Sequence, residues 1–184
     1  MDYIDVKLSG ENTPKIIAKL LENNLKNACK SLVFLFIGSD GNIGDSLAPL
    51  CGTILNLNED GIFCYGDLKC PITAKEAPFV AEFIKNAHPE SVVAVIDAAV
   101  GRKEDLGLIK VQNCGIKPGL GVNKNLPMVG DFSIIGILGE KTYEKSVFTV
   151  GRLGTVYEMA KNIAKGIQIF VQNNKKRLYR EELA

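Results

Sequence analysis

The chain has 184 residues, 46% of them hydrophobic, with 22 lysines and arginines against 21 aspartates and glutamates. Residues 1–184 are one domain's worth of chain, with ample apolar material for a single core and no compositional sign of disorder. The net charge of +1 supplies neither the basic field of a nucleic-acid binder nor an acidic solvating tail, so partners must be read from local features.

Asp2 and Asp5 stand where a secretory leader carries bases, and no apolar run approaches the roughly 20 residues of a bilayer span. The expectation is a cytoplasmic protein with no membrane partner. Thr13 caps a first helix reaching about Leu25, with Pro14 at the tolerated first position and Ile16, Ile17, Leu20 and Leu21 as its apolar stripe. The run Leu32-Val33-Phe34-Leu35-Phe36-Ile37 lacks alternation, the pattern of a central strand buried on both faces. A glycine-rich turn from Gly38 to Asp45 leads into a second helix over about 46–56. Ser46 is its N-cap and Pro49 falls in the first turn, where no donor is needed, so the Asp45 carboxylate is left to face outward.

A strand at Ile62-Phe63-Cys64-Tyr65, a helix from about Lys75 to Ala87 and a strand at Val92-Val93-Ala94-Val95-Ile96 continue a β-α-β-α-β alternation. Such alternation predicts parallel strand pairs joined by crossover helices. Asp97 follows the third strand directly. Further strands lie at Leu108–Val111 and Phe132–Leu138, separated by the glycine-rich stretch Cys114–Lys124. A helix over about 153–172 closes the fold and leaves residues 175–184 as a polar, solvated tail. No repeat, linker or low-complexity block interrupts the chain. Cys29, Cys51, Cys64, Cys70 and Cys114 include no C-x-x-C pair, which fits packing thiols in a reducing compartment rather than disulfides or a zinc knuckle.

Open α/β sheets place their sites beyond strand ends, so Asp45 and Asp97 are candidates for one shared cleft. The Gly38–Asp45 turn offers amides and a helix N-terminus to an anion. It lacks the phosphate-loop lysine, however, and its glycines follow G-x-x-G-x-x-G rather than G-x-G-x-x-G, so nucleotide binding is not expected. Taken singly, Asp45 reads equally as a helix-capping carboxylate and Asp97 as a carboxylate bonded to loop amides. Together, like-charge repulsion raises one pKa while the helix N-terminus and nearby amides hold the other group ionised. One acid and one base are what water-mediated amide hydrolysis needs, although a metal could use the same carboxylates. The segment Gln112–Lys124 cannot be a regular element. Its amides suit an extended peptide or an oxyanion, or it is a plain excursion between strands.

Three segments carry a family resemblance: Gly38…Gly44-Asp45-Ser46-Leu47-Ala48-Pro49, Val95-Ile96-Asp97-Ala98, and Gly115-Ile116-Lys117-Pro118-Gly119-Leu120-Gly121-Val122. They resemble, in order, three blocks of the spore germination protease superfamily, and nearly the whole chain resembles its short YyaC-type sporulation proteins. The resemblance implies a three-layer α/β/α fold, phosphorylase/hydrolase-like, with a mixed sheet and a parallel core, shared with the hydrogenase maturation endopeptidases. It also implies an atypical aspartic peptidase without a cofactor, with Asp45 and Asp97 as the catalytic pair. Gly38, Asp40, Gly44, Gly115, Lys117 and Gly119 then border the substrate, Asp40 by supporting the first loop and the glycines by shaping the walls. Small acid-soluble spore proteins are the implied substrates, in the forespore or spore core, during sporulation or germination and with no direct nucleic-acid contact. Whether the chain forms a homo-oligomer is left open.

One departure bears on mechanism. Lys117 stands where the germination protease carries histidine, and the single histidine, His88, precedes Pro89 at a helix end, where a structural or solvent-facing role is expected. Lys117 is instead expected to depress the pKa of a neighbouring carboxylate or to bind a substrate acid. The chain has no D-T-G pair, no G-x-S-x-G elbow and no histidine suited to a triad. Two alternatives remain: a binding protein that keeps the fold without turnover, and a maturation endopeptidase whose aspartates hold nickel.

Overall fold

The computed structural model describes residues 3–7, 12–25, 31–118, 127–141, 146–147 and 152–178. In chain order its elements are β1 (Tyr3–Lys7), α1 (Thr13–Asn24), β2 (Ser31–Phe36), α2 (Leu47–Leu55), β3 (Ile62–Tyr65), α3 (Ala77–Ala87), β4 (Ser91–Gly101), β5 (Leu108–Gln112), β6 (Phe132–Lys141), β7 (Ser146–Val147) and α4 (Leu153–Leu178). The strands form one seven-stranded sheet in the order β1-β5-β6-β4-β2-β3, with β7 paired to β6. β3, β2, β4 and β6 are mutually parallel, whereas β5, β1 and β7 run antiparallel to their partners. The parallel core is the sheet that the β-α-β-α-β alternation predicts.

The pleat decides which residues meet which helices. Leu32, Phe34, Phe36, Ala94 and Ile96 point to the face covered by α1, α2 and α4. Val33, Leu35, Ile37 and Val95 point to the opposite face, where they meet Ala77 and Ile84 of α3 together with Ile116 and Val129. Three α/β/α layers result, and β2 reads as an unbroken apolar run because both of its faces are covered. Phe34 and Phe36 are fully buried, each burial favouring the fold by about 1.5–3 kcal/mol.

Several boundaries differ from the sequence expectation. Asn12, not Thr13, is the N-cap of α1, and Ile16 is exposed because the buried face of that helix is Thr13, Ile17, Ala18, Leu20 and Leu21. β1 is an additional strand, paired antiparallel with β5. Helix α4 continues to Leu178, so the first residues of the expected 175–184 tail are helical and the rest lie outside the described residues. The largest difference is in β4. This strand runs through Asp97 to Gly101, because β6 supplies a ladder from Asp97↔Ile135 to Gly101↔Glu140 after β2 has ended. Asp97 is thus a strand residue, not a loop residue.

Candidate functional site

The site lies where β2 and β4 part. β2 is followed by β3 on one side of it and then, through α3, by β4 on the other, so the crevice beyond their carboxyl ends is the switch point of the sheet. The backbone records the divergence. Ile37 N–H donates to the Ile96 carbonyl at 2.9 Å, and the next amide, Gly38 N–H, turns the other way to the Ile72 carbonyl at 2.9 Å. The chain then forms the loop that carries Asp45 back to the start of α2.

That loop is stitched by its own short polar residues. Gly41 N–H donates to Ser39 Oγ at 3.1 Å and Gly44 N–H to Asn42 Oδ1 at 3.0 Å, while Ser46 donates its amide to the Asn42 carbonyl at 3.0 Å and its hydroxyl to the Ile43 carbonyl at 2.7 Å. Ser46 therefore holds the N-cap position without a side-chain cap bond. Ser39 N–H closes the loop onto the Asp45 carbonyl at 3.1 Å. A β-carbon at Gly38 would overlap that same carbonyl oxygen, so only glycine permits the two ends of the loop to approach this closely. Asp40 is exposed, and none of the loop bonds just described uses it. Ser39, Asn42 and Ser46 take the supporting role expected of Asp40.

Asp97 lies on the same sheet face as Val95, deep among protein atoms yet with part of its surface open. Its Oδ1 accepts the Ala98 N–H at 2.7 Å. Burial pushes its carboxyl well above the ordinary range; the Ala98 amide opposes that shift and the charge of Asp45 adds to it. Asp45 is half-buried rather than turned outward, and burial also raises its pKa, opposed by the Ser39 amide. The two carboxyls are therefore electrostatically coupled, but the cause of their separation differs from the expectation. Desolvation leads in both, mutual repulsion is the smallest contribution at Asp97, and Asp45 is raised rather than held down.

The third sequence block joins this face through Ile116, which pairs antiparallel with Val129 by bonds of 3.0 and 2.8 Å. Gly115 is buried, and a β-carbon there would meet the carbonyls of Val129 and Gly130. Gly44, within the first loop, is likewise buried. Lys117 is exposed, and it contributes to neither carboxyl's shift. The expected depression of a carboxylate by Lys117 is thus replaced by elevation through burial. Gly119 lies outside the described residues.

His88 caps the carboxyl end of α3, stacks on Phe63 with ring centroids 3.7 Å apart, and meets the Tyr65 hydroxyl at 2.6 Å. It precedes the start of β4, and the run of strand from Ser91 to Asp97 spans about 20 Å at ~3.3 Å per residue. His88 is a packing residue at the opposite end of the parallel strands. Among the described residues no group of three or more His, Cys, Asp or Glu side chains is placed to hold a metal ion.

Ser133 is a residue that motif reasoning passes over. Its fully buried hydroxyl sits across from Val95 on one side and Gln112 on the other, with no hydrogen-bond partner among the described residues. The signal available in sequence is a lone hydroxyl within the apolar run Phe132-Ser133-Ile134-Ile135.

Fold and site together define an α/β/α protein with two coupled, partly desolvated carboxyls at the switch point of its sheet. The chain belongs to the family described as "Protein of unknown function (DUF1256)", which matches residues 6–166. It is 35% identical over 158 residues to the "Uncharacterized protein YyaC" of Bacillus subtilis (strain 168), covering 84% of this chain and 77% of that protein. The expected YyaC-type kinship is therefore shown. No helix among the described residues is long and apolar enough to cross a membrane.

Proposed function

We propose that this chain is an atypical aspartic endopeptidase of the germination protease superfamily, using Asp45 and Asp97 to hydrolyse small acid-soluble spore proteins in the forespore or spore core. The observation that carries the reading is the coupling of two carboxyls raised unequally by burial, with Asp97 the more strongly raised. A neutral acid beside an ionised base is the protonation state that addition of water to an amide requires.

In this mechanism Asp45 takes a proton from water as its oxygen adds to the carbonyl carbon, and Asp97 gives its proton to the carbonyl oxygen. The Asp45 proton then passes to the leaving nitrogen and the C–N bond breaks. One hydroxyl proton of the diol returns to Asp97, restoring both groups. Activity falls at low pH as Asp45 is protonated and at high pH as Asp97 ionises. Because burial raises both groups, the active window is displaced upward from that of ordinary carboxyls.

The test is mass-spectrometric detection of cleavage of a small acid-soluble spore protein by the wild-type chain and by folded Asp45→Asn and Asp97→Asn variants. Site-specific cleavage lost in both variants is expected. A folded wild type that leaves the substrate intact, or variants that cut as well as wild type, refutes the assignment.

A further inference from the structure

Helix α3 turns two phenylalanines to solvent. Its inward residues, Ala77, Val80, Ala81 and Ile84, pack on the sheet face of Val33, Leu35 and Val95. A surface helix ordinarily sets polar residues opposite such a stripe. Phe79 and Phe83 stand there instead, 74% and 54% exposed. Four residues apart, they lie ~40° from each other round the helix and form one ridge. Tyr65 meets the Phe83 ring edge-on with centroids 5.9 Å apart, so the aromatic surface runs on from the ridge to β3, the edge strand of the sheet. A lone exposed apolar side chain is ordinary, whereas adjoining rings at this exposure mark a contact surface.

We propose that this ridge is a self-association surface, on which a second copy of the chain packs α3 against α3, antiparallel, about a two-fold axis at Phe79. The charges beside the ridge select that occupant and fix the register. Lys75, in the turn entering α3, and Glu82 lie on one flank of the ridge, ~40° and ~60° round from Phe79 on the side away from Phe83. Both are exposed, and neither has an ion-pair partner among the described residues. A two-fold pairing at Phe79 sets positions equally far before and after it against each other and keeps each flank facing its own counterpart. Phe79 then meets Phe79, and Lys75 of each copy crosses to Phe83 and Glu82 of the other. An ion pair with a cation–π contact results on either side of the axis. Centring the pair at Ala81 would stack Phe79 on Phe83 but set Lys75 against Ala87 and Glu82 against Val80, with neither charge matched. The two rings expose ~260 Å² per copy, taking about 200 Å² for a whole phenylalanine side chain. Both copies together remove ~500 Å², about half of the ~1,000 Å² that a specific interface needs, and the stems of Lys75, Glu76, Glu82 and Asn86 surround the ridge to supply the rest. None of these residues belongs to the Asp45 and Asp97 site, so the pairing is independent of the peptidase reading.

The test is sedimentation velocity of the full chain over a range of concentrations, with circular dichroism confirming that each variant folds. Wild type is expected to pass from monomer to dimer as concentration rises. Phe79→Ser should raise the dimer dissociation constant at least about tenfold and leave the fold intact, because the side chain is exposed. Lys75→Glu and Glu82→Lys should each weaken the dimer about three- to tenfold, and the double variant, which restores the pair with its signs reversed, should recover much of the loss. A wild type that stays monomeric, as it would if a different protein occupies the ridge, overturns the proposal. So does a dimer indifferent to Phe79→Ser. Single charge variants whose effects add, with no recovery in the double variant, overturn the pairing of Lys75 with Glu82 and with it the two-fold register at Phe79.

Discussion

Replacing Asp97 by asparagine is expected to stabilise the protein while abolishing activity, and the stabilisation has a defined pH dependence. In the folded state burial and the Asp45 charge raise the Asp97 carboxyl well above its ordinary value of 3.8. Between 3.8 and the folded pKa the native state therefore binds more protons than the unfolded chain, so wild-type stability falls as pH rises through that interval. Each pKa unit traversed costs ~1.4 kcal/mol. At pH 7 the loss can reach about 4 kcal/mol and no more, because the interval available above 3.8 ends at the pH of measurement. Asparagine keeps an oxygen for the Ala98 N–H, has nearly the same volume and cannot ionise, so this loss disappears. For a chain of this size each kcal/mol is worth ~2–4 °C in Tm. Calorimetric melting of both proteins from pH 3 to pH 8 is the assay. The variant's advantage should be small at pH 3 and grow with pH. An advantage independent of pH, or a variant less stable than wild type at pH 8, would show that Asp97 is not the desolvated group described here.

Gly38→Ala forces a methyl against the Asp45 carbonyl and is expected to cost ~1–3 kcal/mol in urea denaturation while lowering cleavage beyond the loss of folded protein. A neutral substitution would mean the loop closure tolerates a β-carbon. Ser133→Ala removes a buried hydroxyl that has no partner among the described residues, so the urea midpoint should hold or rise, with a gain of up to about 1 kcal/mol. A clear fall would reveal a bond to that hydroxyl. Lys117→Ala is expected to leave the pH profile of cleavage in place, since neither carboxyl's shift draws on this exposed ammonium. Displacement of either limb would bring Lys117 into the site's electrostatics.

What the sequence determined by itself was the layered α/β frame and the two carboxyls. Long non-alternating apolar runs at Leu32–Ile37 and Val92–Ile96 admit few fates other than central strands buried on both faces, and the β-α-β-α-β spacing imposes parallel pairing between them. β1 was legible in principle, since apolar Ile4 and Val6 alternate in sequence with charged Asp5 and Lys7, but so short a segment acquires strand geometry only from β5 beside it.

The site's electrostatics belonged to the tertiary structure. Local spacing shows that two acids follow two strands, yet desolvation depends on tertiary surroundings: Asp97 shares its sheet face with the cluster that α3, Ile116 and Val129 build, whereas Asp45 leads into α2, which packs on the other face. It was likewise tertiary pairing that carried β4 past Asp97, because the ladder to β6 lies far away in sequence. The same pairing left Ser133 buried without a partner among the described residues, and the loop before α2 is closed through Ser39 and Asn42 rather than Asp40. A residue's type and immediate neighbours set its propensity and its charge; its solvation and hydrogen-bond partners are set by whichever distant strands and loops come to surround it.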